Sequence, residues 1–297
     1  MKMTMEKRRS IEGYFFILPG LLYVLLVLGY PLVYNVILSL KDVNVKNFTT
    51  GTSVFVGLDN YIALFHDEVF LLVIKNTLVF TFFSLLVQFV IGFLFAIFFQ
   101  KKSTLSGPMR GIILISYMIP TSVAGLLGKN MFAVDGGLIN DILLKCGIIN
   151  SPIDWLISAG TAMFAVIAVN CWIGIPYNML LMTSGLSNIS ADVYESASID
   201  GANVLQKFFY ITLPLVKPAM MAVLMLGFIY TFKAFDLMFI MTKGGPMNAT
   251  DTMGTYAYQL SFKKFEFSQG SAAAIVLFLC LLVVGIFYLR LISKEED

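Results

Sequence analysis

Long runs of apolar residues, separated by short polar stretches, dominate the pattern along the chain. Several runs exceed the roughly 20 apolar residues with which an α-helix crosses a bilayer. No polar stretch between them has the character of a separate soluble domain, so we predict one transmembrane domain over residues 1–297. The pattern predicts an all-α integral membrane protein with six transmembrane helices, at about residues 14–40, 73–99, 108–128, 160–183, 219–241 and 270–292.

Composition agrees with a membrane protein. Of the 297 residues, 58% are hydrophobic and only 13% are charged, whereas soluble domains carry roughly 25% charged residues. A net charge of +2 gives no basic footprint for nucleic acid. The three cysteines have no short spacing, so we predict neither a disulfide framework nor a metal site.

The distribution of Lys and Arg predicts how the chain is oriented. Six spans place both termini on the same side of the membrane. With the amino terminus inside, the inner segments hold 11 Lys and Arg residues and the longer outer loops hold 7, and all four arginines are inside. Because positive residues accumulate on the cytoplasmic side, we predict a multi-pass protein of the bacterial cytoplasmic membrane with cytoplasmic termini. The outer loops are then 41–72, 129–157 and 243–268.

Three local features refine this picture. Pro31 lies inside the first run and predicts a kink near its outer end. Apolar residues at helical spacing over Leu58–Phe70 predict a short amphipathic helix at the membrane surface. His66 is the only histidine and has no second type of metal ligand spaced near it, so we predict an exposed side chain rather than a metal or catalytic site.

The inner segment 184–218 contains a pattern that predicts two helices joined by a tight turn. Either Ser190 or Asp192 can cap the first helix, and Glu195 stands three residues after Asp192, as in a capping box. Gly201 can adopt the left-handed conformation that ends such a helix. The first helix of this segment is therefore predicted to end at Asp200-Gly201.

A second short helix is predicted at about Ala202–Tyr210. Pro214 and Pro218 are then expected to end it and to start the next span. The two helices would form a compact bracket beneath the membrane, with an exposed apolar and acidic face. Such a face suits docking to another protein.

The sequence of this bracket resembles the EAA loop of the permeases of binding-protein-dependent ATP-binding-cassette (ABC) importers. The similarity rests on Glu195-Ser-Ala-Ser-Ile-Asp-Gly-Ala202, followed by Ile211-Thr-Leu-Pro214. Ser196 replaces the first alanine of the family pattern, and Ser190 stands where many members have proline. In that family the loop fits a groove of the ATPase subunit, so the resemblance implies ATPase coupling by Glu195, Ser196, Ala197, Asp200, Gly201 and Ala202.

Other segments resemble one branch of the same family. The run from Phe228 to Pro246, with Phe-Asp in the span and Met-Thr-Lys-Gly-Gly-Pro at its end, is similar to permeases of the maltose, glycerol-phosphate and lactose type (carbohydrate uptake family 1). The outer stretches Phe55–Tyr61, Asn76–Leu78 and Gly136–Asn140 also resemble that type. The resemblance implies a permease subunit for uptake of a sugar or oligosaccharide.

The resemblance also implies the partners. They are a second permease of the companion type, two copies of an ATP-binding ATPase subunit and an extracellular or periplasmic sugar-binding protein, all assembled in or on the lipid bilayer. The chain contains no Gly-x-x-x-x-Gly-Lys-Ser/Thr phosphate loop and no nucleophile–base set. We therefore expect it to bind no cofactor and to catalyse no reaction, with ATP and Mg²⁺ bound by the ATPase.

A polar and aromatic stretch in the fourth run is a candidate for contact with the cargo. Asn170, Trp172 and Tyr177 offer hydrogen bonds and stacking faces, as sugar sites do, and Pro176 frees backbone groups within the span. Plain helix packing with an interfacial tyrosine is the alternative. The resemblance to the maltose-type permease implies a path lined by Asn170, Ile173, Gly174, Tyr177, Gly227, Thr231 and Ala234.

Lys233 and Asp236 are ionisable residues within the apolar fifth run. At positions i and i+3 of one helix they can approach each other. They either line the path or form an internal ion pair that holds the fifth helix to its neighbours. If Asp236 neutralises Lys233, the path favours an uncharged cargo. The alternatives are a glycerol phosphate, polyol or other sugar derivative as cargo, or an ion-driven secondary transporter that uses this pair.

Overall fold

The computed structural model describes residues 5–100 and 104–296, and these ranges are almost entirely helical. Five helices are long and apolar enough to cross a membrane, and a sixth span results if one bent helix pair counts as a single span. The all-α membrane fold predicted above is confirmed. The helices are α1 (Met5–Val24), α2 (Tyr30–Ser39), α3 (Val45–Thr50), α4 (Asp59–His66), α5 (Glu68–Gln100), α6 (Ser106–Met118), α7 (Thr121–Met131), α8 (Leu138–Lys145), α9 (Ala159–Ser187), α10 (Ala191–Ile199), α11 (Val204–Lys207), α12 (Leu213–Phe232), α13 (Asp236–Met241), α14 (Met253–Tyr258) and α15 (Phe267–Glu296).

The chain divides into two compact units, which we describe one at a time. The first unit comprises the residues up to His66 together with Ala257–Val276. The second comprises Asp67–Tyr256 and the residues from Leu277 onward. Both candidate sites lie in the second unit.

In the first unit, the first span changes its helical geometry just before Pro31. A π-helical turn, Leu25–Gly29, separates α1 from α2. Proline has no N–H and its ring crowds the carbonyl four residues earlier, so one wider turn accommodates it. The distortion expected near Pro31 is thus a π-turn.

The segment that follows is tied back to the end of α2. Strands β1 (Lys41–Asp42) and β2 (Val54–Phe55) pair antiparallel, with Lys41 opposite Phe55. Asn60 Nδ2 donates to the carbonyls of Ser39 at 2.8 Å and Lys41 at 2.9 Å. The single amphipathic helix predicted over Leu58–Phe70 is wrong in its length. Helix α4 ends at His66, and Asp67 Oδ1 accepts from Val69 N–H at 2.9 Å to start α5.

In the second unit, glycines bring α5, α9 and α12 into close contact. A Cβ on Gly92 of α5 would lie 3.0 Å from the backbone nitrogen of Met179 in α9. A Cβ on Gly185 of α9 would lie 2.5 Å from Cβ of Ala219 in α12. Small residues at such positions let membrane helices pack backbone to backbone.

The third apolar run does not form the single helix that we predicted over 108–128. Helices α6 and α7 meet at an angle of 97°. Because Pro120 disfavours a helical conformation at the residue before it, Ile119 is extended (φ −75°, ψ 127°). The bend is stabilised from α9, where Pro176 cannot donate to the carbonyl of Trp172. Ser116 Oγ of α6 donates to that carbonyl at 3.2 Å.

The fifth apolar run is interrupted, although we predicted one helix over 219–241. Helix α12 ends at Phe232 and α13 begins at Asp236. The carbonyl of Ala234, at the interruption, accepts from Thr252 Oγ1 at 3.4 Å. A residue distant in sequence therefore donates a hydrogen bond to a carbonyl that has no helical partner. Neither proline nor glycine occurs at the break.

The start of this run also differs from the prediction. The short helix expected over Ala202–Tyr210 begins only at Val204, and Pro214 does not end it. Instead a π-helical turn, Phe208–Thr212, joins α11 to α12, and Leu213 N–H donates to the carbonyl of Phe208. The wider turn accommodates Pro214, so the chain is helical from Val204 to Phe232.

The loop after α13 is held by several polar contacts. Gly244 has φ +89°, and the Asp251 carboxylate occupies the space that a Cβ would need. Asn76 Nδ2 of α5 donates to the carbonyl of Asn248 at 2.8 Å, and Thr77 Oγ1 accepts from Met253 N–H at 2.9 Å. The loop that follows α13 is thus anchored to α5.

Candidate functional sites

A cavity of about 490 Å³ lies beside the break between α12 and α13. Nine of the ten residues proposed for the cargo path line it. Trp172 is the exception, since it is absent from the lining and its side chain is 38% exposed elsewhere on α9. The nine are Asn170, Ile173, Gly174, Tyr177, Gly227, Thr231, Lys233, Ala234 and Asp236.

Several lining residues were not predicted. Gln88 comes from α5, Tyr117 from the end of α6, and Asn178 and Tyr230 from α9 and α12. Gln88 could have been found as a carboxamide in an otherwise apolar run. Tyr117 reaches the cavity because α6 ends at the Pro120 bend, which the sequence prediction missed.

One wall of the cavity is a cluster of carboxamides between α5 and α9. Gln88 is 4% exposed, and its Nε2 donates to the carbonyl of Asn170 at 3.1 Å. Asn178 Nδ2 donates to Gln88 Oε1 at 3.4 Å and to the carbonyl of Gly174 at 3.0 Å. Asn170 Nδ2 is buried and has no hydrogen-bond partner within the described residues. A buried amide donor without a partner is unfavourable, and a ligand that accepts a hydrogen bond would relieve that cost.

A second wall is aromatic. The rings of Tyr117 and Tyr177 stack at 5.4 Å between centroids, and Tyr230 meets Tyr177 edge to face at 6.3 Å. Tyrosines present flat apolar faces together with hydroxyl groups. This combination suits a ligand that is apolar on one face and polar at its edges.

Lys233 and Asp236 do not form the ion pair that was one alternative. The break after Phe232 places them outside a common helix, so the prediction that they lie three residues apart on one helix is wrong. Within the described residues they form no ion pair, and Lys233 Nζ lies 5.2 Å from the centroid of the Tyr230 ring. Both side chains are exposed and line the cavity. One positive and one negative group therefore face the same space.

The first helix of the bracket, α10, is capped at both ends. Ser190 Oγ, rather than the side chain of Asp192, caps α10 by accepting from Asp192 N–H at 3.3 Å. Gly201 has φ +78°, and the turn is closed by Ala202 N–H donating to the carbonyl of Ala197 at 2.9 Å. The Gly201 stop therefore has the geometry expected from the sequence.

The second helix of the bracket has a cap that was not predicted. Asn203 and Gln206 form a reciprocal capping box, with Asn203 Oδ1 accepting from Gln206 N–H at 2.9 Å. Tyr194 OH and Thr212 Oγ1 are 2.9 Å apart, and Lys207 Nζ donates to Ser198 Oγ. These bonds connect the two arms of the bracket, so that α10 and α11 form one unit.

One face of the bracket is apolar and exposed. Ile199 and Val204 are each 83% exposed, and Tyr210 is 80% exposed. Glu195 and Ser196 are also exposed on α10. A hollow of about 310 Å³ lies in this face, lined by Asp200, Gly201, Ala202, Gln206, Tyr210 and Ile211. We call this face the coupling surface.

The bracket is joined to the membrane helices by aromatic and aliphatic packing. The Phe208 ring lies 6.2 Å from the Phe93 ring of α5. Phe93, Leu186 and Val216 belong to one buried cluster against which Phe208 packs. The coupling surface is therefore attached to α5, α9 and α12, three of the helices that line the cavity.

His66 is exposed, as predicted, and its Nδ1 lies 2.7 Å from the carbonyl of Ile62. Among the described residues, no group of three or more His, Cys, Asp or Glu side chains is arranged to hold a metal ion.

Comparison with known proteins gives the family. Residues 88–295 match the family described as "Binding-protein-dependent transport system inner membrane component". A trehalose/maltose transport system permease protein of Thermococcus litoralis is 32% identical over 99% of this chain and 97% of its own length. An arabinooligosaccharides transport system permease protein of Bacillus subtilis is 34% identical over 95% of this chain and 89% of its own length.

Solved structures give the same fold. A chain of a bacterial ABC transporter involved in the import of the acidic polysaccharide alginate superposes with a TM-score of 0.82 at 22% identity, with 98% of both chains covered. A second structure of an alginate transporter, in complex with its alginate-bound periplasmic protein, gives 0.80 at 22% identity. The chain is therefore a multi-pass membrane protein of the binding-protein-dependent ABC importer permease family.

Proposed function

We propose that the chain forms half of the translocation path of an importer for a sugar or oligosaccharide. The observation that carries this proposal is the cavity, which combines a carboxamide wall, three tyrosines and one residue of each charge. The names of several relatives support a carbohydrate cargo, among them trehalose/maltose, arabinooligosaccharide and lactose systems. As a permease subunit the chain itself would catalyse no reaction.

The charges at the cavity favour a neutral cargo. Lys233 and Asp236 contribute one positive and one negative group, and no arginine is among the residues that line the cavity. An acidic sugar would need an excess of cationic donors, preferably arginine. Hydroxyl groups of a neutral sugar can both donate to Asp236 and accept from Lys233, so both charges can be used without being paired to each other.

The experiment is uptake by the assembled importer, reconstituted with its partner permease, ATPase and binding protein. Uptake of a labelled neutral oligosaccharide is measured in competition with neutral and acidic sugars. We expect competition by neutral sugars. Competition by acidic sugars alone would overturn the neutral-cargo proposal, and failure of every carbohydrate to compete would overturn the carbohydrate proposal.

The coupling surface is proposed to receive the ATPase subunit. Its exposed aliphatic and tyrosine side chains would be covered by a protein partner, and the acidic Glu195 and Asp200 add polar contacts at its edge. ATP and Mg²⁺ would be bound by the ATPase, with this chain transmitting the movement. The remaining partners proposed are a companion permease and a sugar-binding protein on the outer side, with both termini of this chain cytoplasmic.

A further inference from the structure

Gln88 is a carboxamide within the bilayer-spanning helix α5, and its side chain is almost completely buried. Its two terminal atoms are both used, because Nε2 donates to the Asn170 carbonyl at 3.1 Å and Oε1 accepts from Asn178 at 3.4 Å. Hydrogen bonds offset much of the cost of burying an amide at this depth. The two bonds fix Gln88 against the turn of α9 that faces the cavity.

Gly174 provides the space that Gln88 occupies. A Cβ at Gly174 would overlap the amide carbon and both terminal atoms of Gln88, and it would touch no other residue as closely. Glycine is unfavourable in a helix interior relative to alanine, so its presence here needs a reason. The contact with Gln88 supplies that reason, and it means that any larger residue at 174 would displace the Gln88 amide.

We propose that Gln88 is a positioning residue of the cargo site, seated on Gly174, and that it holds Asn170 where its amide can donate to the cargo. This inference rests on the proposed function. Gln88 bonds the backbone of Asn170, whose own Nδ2 has no partner among the described residues. Movement of Gln88 would therefore move the donor that a cargo hydroxyl would satisfy, without altering the coupling surface.

A double-mutant cycle tests this role. Gln88→Ala removes both bonds, and Gly174→Ala pushes the same amide out of its place. We expect each variant to raise KM for uptake about tenfold, the effect of one hydrogen bond to the cargo, with little change in the maximal rate. Because both changes remove the same Gln88 amide from its place, the double variant should resemble either single variant rather than multiply their effects.

The controls separate positioning from general damage. Gly160→Ala places the same substitution in the same helix, where the nearest atom is 4.0 Å away, and should leave KM unchanged. Gln88→Glu keeps the shape but replaces the donating Nε2 by an acceptor, so it should also raise KM. Uptake is expressed per complex inserted in the membrane.

Two outcomes would overturn the inference. Multiplied effects in the double variant, or a loss of maximal rate at unchanged KM, would assign Gln88 and Gly174 to packing alone. The result for Asn170→Ala distinguishes this failure from that of the proposed function. If Asn170→Ala raises KM while Gln88→Ala does not, only the positioning role fails, whereas unchanged KM in both refutes the cargo site itself.

Discussion

At the scale of single residues, buried side-chain amides determine local geometry in two parts of the second unit. Besides Gln88 at the cavity, Asn140 is 1% exposed and joins three segments of the predicted outer loop 129–157. Its Nδ2 donates to the Ile153 carbonyl at 3.0 Å, and its Oδ1 accepts from Trp155 Nε1 at 2.9 Å. Asn140, the last residue of the segment Gly136–Asn140 that resembles the family, is therefore the centre of one hydrogen-bonded cluster.

Substitution of Asn140 should lower stability. Asn140→Ala leaves the Ile153 and Trp155 groups without their partner, a loss of roughly 1–3 kcal/mol in the free energy of unfolding. The measurement is the thermal unfolding midpoint of the purified complex in detergent. Asn150→Ala, in an exposed position of the same outer region, should not shift it. If Asn140→Ala has the same unfolding midpoint as Asn150→Ala, the role assigned to Asn140 is contradicted.

The cargo site can be tested with two substitutions and one control on the same helix. Asn170→Ala removes the amide donor and Tyr177→Ala removes the centre of the tyrosine wall. Each should raise KM for uptake about tenfold. Trp172→Ala removes an even larger aromatic group that does not line the cavity, so uptake should remain near wild type. The reverse result would place the cargo on the other face of α9.

At the scale of elements, the bends explain what a sequence pattern can and cannot predict. The end of α10 before Gly201 was predictable because that turn requires a left-handed backbone conformation, which glycine adopts readily. The bend at Pro120 carries an equally clear signal, yet hydropathy alone joined α6 and α7 into one span. The break after Phe232 has no local signal, since its freed carbonyl is satisfied by Thr252 through a tertiary contact. Such a contact cannot be inferred from spacing along the chain.

The coupling element is tested by Gly201→Asp. An aspartate at φ +78° is strained by about 1–3 kcal/mol, and its charge lies in the hollow of the coupling surface. We expect uptake to fall below about a tenth of wild type, with loss of ATPase stimulation by the binding protein, while the chain still inserts into the membrane.

Gly147→Asp is the matched control for this variant. Gly147 also has positive φ (+68°) and open space around it, but it lies in the predicted outer loop 129–157. The backbone strain is similar, so stimulation of the ATPase should survive in Gly147→Asp. Full stimulation in Gly201→Asp would show that the bracket does not couple to the ATPase.

At the scale of the whole molecule, the spans and the bracket could be predicted more completely than the cavity. Five spans and the bracket could be inferred because apolar length and capping residues are local properties. The cavity could be found only from the fold, since its walls come from α5, α6, α7, α9, α12 and α13 together. Seven of its positions were carried over from the family resemblance. Gln88 had a local signal as a carboxamide in an apolar run, but its contact with α9 did not, and Tyr117 was missed together with the bend at Pro120.

The orientation of the chain predicts which native cysteine reacts from outside. Cys146 is exposed in the predicted outer loop 129–157, whereas Cys171 is buried within a span. An impermeant thiol reagent applied to intact cells should therefore label the wild-type chain at Cys146. Labelling should disappear in Cys146→Ser, which also provides the background for further positions.

In that background, Met247→Cys should label from outside, because Met247 is 89% exposed in a predicted outer loop. Ser103→Cys, in the predicted inner segment between the second and third runs, should label only after the membrane is permeabilised. If Ser103→Cys is labelled in intact cells and Met247→Cys is not, the orientation is opposite to the one predicted.

The unbroken helical course from Val204 to Phe232 has a mechanical consequence. At 1.5 Å per residue it forms a rod of roughly 43 Å, with the coupling surface at one end and the cavity break at the other. If the bracket docks as proposed, no relay of side-chain contacts is needed between the ATPase and the cargo. A tilt of the helix at Val204 would then also tilt its other end, at Phe232. If α12 moves relative to α13, we expect the non-helical residues Lys233–Phe235 between them to take up the change.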